Sequence, residues 1–270
     1  MTSEVIIKNR EAIAMAADSA VTVTSNGKYD KKIFPTANKL FTLSKYHPIG
    51  IMFYGNAHLM GVPWEVIIKQ YRKELGEKSF SKLKYYAEDF VNFLNTNKIL
   101  FPDSIQTQYF KNSVEIYMNF LKENIFDELN TASKGGKSLG KRQRKEIIYK
   151  AIEKDYNLWS NEAQDVPSMP KKFGEELWVK YESVIERATA TYFGEYSLKK
   201  EYLKKLKQIM IFTFTKIPKH VKNQSGSGVV IAGYGEEEIF PAVCPIEVDG
   251  IVNNKLKYMF GLSGNVSDFL

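Results

Sequence analysis

The chain has 270 residues, 44% of them hydrophobic, with a formal net charge of +7 and one cysteine, Cys244. That composition reads as a globular protein of one large or two small domains, and the lone cysteine excludes an internal disulfide or a cysteine-rich zinc site. The positive charge permits an acidic partner, yet the lysines spread over predicted helix faces apart from "GKSLGKRQRK" (136–145), and no recognition motif accompanies them, which argues against nucleic acid.

In chain order, the first block is β-type. Alternating, β-branched runs occur in "EVIIK", "EAIAMAADSAVTV", "NKLFTLS" and "IGIMFYGN", divided by the turn signals "KNRE", "SNGKYD" and "KYHP". Glu4, Lys8, Arg10 and Glu11 stand where a signal peptide would need an apolar run, and no stretch is apolar enough to span a bilayer. A cytoplasmic protein without a membrane partner is the expectation.

From Val62 to about Phe214 the apolar spacing becomes three and four, and six helices are expected. Pro63 before Trp64 suits a helix start, while "TASKGGKSLG" and "DVPSMPKKFG" read as loops. "TASKGGKS" is a poor phosphate-binding loop, because Thr131 stands where its first glycine is needed and a helical pattern precedes it. After "KNQSGSG", where Ser225 to Gly228 reads as a flexible lead into a strand, the β pattern returns. There "EVDG" reads as a hairpin turn, and Pro241 and Pro245 mark a strand irregularity or an edge. The expected divisions are 1–61, 62–214 and 215–270, with strands, helices and strands joining in an α+β architecture. His47, His58 and His220 lack metal-ligand spacing, so no metal site is expected.

The front end carries the chemistry. A threonine at an amino terminus supplies both a nucleophilic oxygen and, in its own α-amine, a base whose ordinary pKa lies near 8. Thr2 reaches that state once Met1 is removed, as it is from chains whose second residue is small. Many chains begin Met-Thr without catalytic meaning, so the register of the residues downstream of Thr2 decides the matter.

"TSEVIIKNREAIAMAADSAVT" resembles the start of mature proteasome β-subunits and their simpler bacterial two-ring relatives, with Asp18 sixteen residues after Thr2. "NKLFTLSKYHPIGIMFYGNAHLMG" matches the family's lysine strand and its glycine-containing close, at Lys39 and Gly55. Lys31 and Lys32 compete with Lys39, since the interval from Asp18 is longer than the family's; the distance from Lys39 to Gly55 favours Lys39. Further on, "GVVIAGYGEEEIFPAVCPIEVDGIVNNKLKYMFGLSGN" resembles the family's later hairpin, with Ser263 on the "GSGN-like" segment and Leu262 replacing its first glycine.

The resemblance covers about residues 2–60 and 228–268. It implies an Ntn-hydrolase-like αββα sandwich with an inserted helical region, and a chain short at its C-terminal end relative to the family. It further implies Thr2 as nucleophile and base, Asp18 and Lys39 as electrostatic support, Gly55 as oxyanion donor and Ser263 as an ordering group. Peptide or protein would be the substrate, no cofactor would be needed, and a homo-oligomeric ring with an unfoldase partner would be in keeping. The alternative function is a catalytically inactive proteasome-like scaffold that binds through its basic helical insertion. A third is an unrelated basic helical protein contacting nucleic acid.

Overall fold

The computed structural model describes residues 4–18, 21–24, 31–34, 38–133, 139–218 and 226–261. Strands β1 (Glu4–Lys8), β2 (Ile13–Ala17), β3 (Val21–Thr24), β4 (Lys31–Phe34), β5 (Leu40–Thr42), β6 (Ile49–Gly55), β7 (His58–Leu59) and β8 (Val62–Pro63) come first. Helices α1 (Trp64–Leu75), α2 (Leu83–Thr96), α3 (Asp103–Ser133) and α4 (Lys141–Asn157) follow, then β9 (Gln164–Asp165), α5 (Phe173–Phe193), α6 (Lys200–Thr215) and β10 (Lys216–Ile217). Three strands complete the described chain: β11 (Ser227–Gly233), β12 (Ala242–Val252) and β13 (Lys255–Phe260). All strand pairs are antiparallel, so the chain is α+β. Among the described residues, no helix is long and apolar enough to cross a membrane.

Two compact units divide these elements, Met1–Pro102 with Asn223–Leu270, and Asp103–Lys222. The division falls after Pro102 rather than at Val62, because α1 and α2 bury their apolar faces with the strands. In the first unit the sheet order is β13-β12-β11-β6-β5. Alternation on β6 points Ile49, Ile51 and Phe53 to one face, where they pack with Val229, Ile231 and Ile246 against Trp64, Ile67, Tyr71 and Phe90. On the other face β2 approaches β5 and β6. A Cβ on Gly50 would fall 2.1 Å from the Met15 methyl carbon, so glycine there gives the hairpin room to approach. Every residue of β11 is buried, as expected for a central strand covered on both faces.

Two expectations for the late strands need correction. The β12–β13 turn is not at "EVDG" but at Asn253–Asn254, both with positive φ (48° and 57°), between paired Val252 and Lys255. That is the two-residue geometry in which asparagine tolerates left-handed backbone. "EVDG" instead lies inside β12 at a register shift between Val248 and Ile251, where Asp249 pairs with Lys257 at 3.1 Å. Ser227 and Gly228 likewise belong to β11 itself rather than to a flexible lead. The Tyr54 ring covers Gly228 so closely that a Cβ would fall 1.8 Å from its Cζ. Pro245 is tolerated inside β12 because its carbonyl accepts from Gly261 N–H, which turns its ring nitrogen away from β11 toward the end of β13.

In the second unit α3 packs on α4 and α5, and α6 packs on both of those, closing a cycle of four helices. Phe110 stacks between Tyr181 and Phe214 with centroids 4.1 and 4.5 Å away. The spacing Phe110, Val114, Met118, Leu121, Ile125 is the apolar stripe that periodicity marks on α3.

Candidate active site

The β1–β2 register pairs Glu4 with Ala17, so Glu4 and Asp18 emerge side by side at one end of the hairpin. Lys39 immediately precedes β5, and its carbonyl accepts from Phe53 N–H at 3.1 Å, fixing it beside the end of β6. The Lys39 side chain is only 3% exposed. Its ammonium donates a hydrogen bond to Asp18 Oδ1, and Glu4 Oε1 stands 3.6 Å away. Lys31 and Lys32 belong to β4, whose register places them opposite Thr24 and Val23 of β3.

One cation thus faces two carboxylates. Burial pushes the Glu4 carboxyl up, Lys39 opposes this, and Asp18 adds to the rise. Glu4 Oε1 is buried and accepts no hydrogen bond among the described residues. Nearby, burial raises the Tyr54 hydroxyl, with Glu247 and then Glu4 adding to it. Sequence reading missed Glu4 because a charge at a strand start ordinarily points to water. The available signal was its phase, since Glu4 alternates in step with half-buried Ile6.

Gly55 closes β6 two residues beyond Phe53, at the same end of the sheet, with φ of 80°. A Cβ there would fall 2.9 Å from Gly226 O, so conformation and space both require glycine. The segment after it is pinned from two sides. Ser227 Oγ donates to Asn56 O at 3.0 Å, and Trp64 N–H donates to Ala57 O at 3.1 Å. Ser227, 4% exposed, is a second residue that sequence reading missed, since "SGSG" resembles a linker.

The structure therefore brings together Asp18 and Lys39 and sets Gly55 at the same sheet end. Thr2 and Ser263 lie outside the described residues, as do His220 and all of "KGGKS". His47 faces Glu236 at 3.8 Å and His58 is exposed on β7. Among the described residues, no group of three or more His, Cys, Asp or Glu side chains could hold a metal ion. Chemically, the arrangement is a buried ammonium facing two carboxylates, at the sheet end where β6 closes on Gly55. Comparison of the chain with protein-family models, curated proteins and solved structures finds no match.

Proposed function

We propose that the chain is a proteasome-like threonine hydrolase that cleaves peptide or amide bonds through an acyl-enzyme on Thr2, exposed by removal of Met1. The observation that carries this reading is the ion pair of buried Lys39 with half-buried Asp18 at the sheet end that holds Gly55. The chain resembles the family at those same three positions, and Thr2 stands two residues before Glu4 in the sequence. The layering also suits an αββα sandwich, since the sheet carries α1 and α2 on one face and the β1–β2 hairpin on the other. Assembly into a homo-oligomeric ring rests on the resemblance.

In this mechanism Thr2 Oγ adds to the substrate carbonyl carbon while its proton passes to the α-amine of the same residue. Lys39, held by Asp18, favours the deprotonated oxygen by charge. Gly55 N–H donates to the oxyanion of the tetrahedral intermediate, a contribution of roughly 10²–10³ in rate for one such donor. Collapse breaks the C–N bond, and the leaving amine takes the proton back from the α-ammonium. Water then opens the ester with the α-amine as base, and Ser263 orders the surroundings of that amine. These steps require neither metal nor organic cofactor.

Turnover of fluorogenic peptide amides by Met1-processed protein tests the proposal. Thr2→Ala is expected to abolish turnover, and Lys39→Ala to lower kcat about a hundredfold or more. Turnover that survives Thr2→Ala overturns it. One observation favours the inactive-scaffold reading instead: Glu4 is a second carboxylate on Lys39 and offsets the charge that nucleophile activation needs. Stoichiometric partner binding by protein that retains Met1 would mark that case.

A further inference from the structure

The helical unit carries a groove of about 1030 Å³ between α5, α6 and the segment from Asp165 to Lys171. Its floor is apolar, formed by Val166, Trp178, Leu203, Ile211 and Phe212, and Val179 at its lip is 81% exposed. Lys200, Lys204 and Lys207 follow one another at four- and three-residue spacing along α6, a row about 10 Å long on one helix face. Lys207 is engaged by Glu186 at 2.8 Å, and Lys216 by Ser160 O at 3.1 Å and Asp165 at 3.9 Å. Lys171, Lys200 and Lys204 make no ion pair among the described residues, and Glu175 is the remaining acid on the rim.

The same unit exposes a surface of opposite character. On α3, Ile116 (71%), Phe120 (51%) and Phe126 (59%) are solvent-facing. Ile116, Phe120, Glu123 and Asp127 recur at four, three and four residues, on the side away from Val114, Met118, Leu121 and Ile125. This stripe is apolar at one end and acidic at the other, about 16 Å in all. Glu123, Asp127 and Glu128 make no ion pair among the described residues, Glu123 only accepting a hydrogen bond from Asn119. Single exposed apolar residues are ordinary, but a stripe of them in line with unpaired acids marks an interaction surface.

We propose that the α5–α6 groove of one copy receives the outer stripe of α3 from a second copy. Ile116 and Phe120 enter the apolar floor, and Glu123 and Asp127 meet Lys200 and Lys204. The unpaired Lys200 and Lys204 stand one helical turn, about 6 Å, apart, the same four-residue spacing as Glu123 and Asp127, so the two pairs can meet along two packed helices. Because groove and stripe are different surfaces, the contact is head-to-tail and propagates into a ring or filament. This contact is independent of the peptidase reading.

Sedimentation velocity on the full chain tests it, at about 100 μM to populate a micromolar contact. Wild type is expected to associate. A groove variant, Lys200→Glu with Lys204→Glu, and a stripe variant, Ile116→Asp with Phe120→Asp, are each expected to be monomeric. Their equimolar mixture should form a 1:1 pair and nothing larger, because one intact stripe and one intact groove remain. All four positions are exposed, so folding is preserved, and circular dichroism checks this. Three outcomes overturn the proposal: a monomeric wild type, which leaves the groove to some other acidic helix; variants that keep the wild-type size distribution; or a mixture that stays monomeric.

Discussion

At Glu4, burial outweighs Lys39 and the carboxyl titrates above its ordinary range. A raised native pKa means that Glu4's contribution to stability is fully present below its unfolded pKa and is lost as pH rises through the native value. Glu4→Gln should therefore match wild type in acid and become relatively more stable toward neutral pH, as read by urea unfolding at several pH values. A variant less stable at pH 7 than in acid, relative to wild type, contradicts the assignment. Gly55→Ala should cost roughly 1–3 kcal/mol in the same assay, since φ of 80° and the nearby Gly226 carbonyl both oppose a side chain. The family resemblance made Asp18, Lys39 and Gly55 legible in the sequence. Glu4 was not, because alternation puts it on the Ile6 face of β1 but does not say that the hairpin approaches the sheet and covers that face.

Among the elements, the β12–β13 hairpin shows how a local signal can mislead. Asp-Gly is a strong short-range turn cue, yet β12 continues through Asp249 and Gly250 because Lys257 holds the Asp249 carboxylate at the register shift. The turn falls on Asn253–Asn254, where each asparagine carries a positive φ. Asn254→Gly should stabilise the first unit by about 0.5–1 kcal/mol, since glycine adopts that backbone without the steric cost. An unchanged or lower denaturation midpoint would contradict the turn. The helices were more legible, because each carries its apolar stripe over several turns. What periodicity could not supply was which partner each stripe packs against, and so α1 and α2 join the sheet.

For the whole molecule, two compact units imply two unfolding steps, each with its own reporter: Trp64 in the first, Trp159 and Trp178 in the second. In the helical unit burial pushes Asp155 up to about 6, against the hydrogen bond it accepts from Tyr117. By the same sign argument, this unit should lose stability as pH rises from about 4 through 6, by at most roughly 2–3 kcal/mol. Asp155→Asn should flatten that slope. Tryptophan fluorescence of a Trp64→Phe background isolates the helical step, and a slope that persists in Asp155→Asn would contradict the assignment.

The central claim concerns Thr2, and the most direct measurement is the mass of natively processed protein after incubation with a peptide epoxyketone. That reagent closes a ring through both the hydroxyl oxygen and the α-amine of one residue, so it reports the nucleophile and its base together. The account predicts loss of Met1, one adduct per chain, its location on the peptide beginning at Thr2, and no adduct in Thr2→Ala. A processed chain that remains unlabelled, or an adduct that persists in Thr2→Ala, would contradict it.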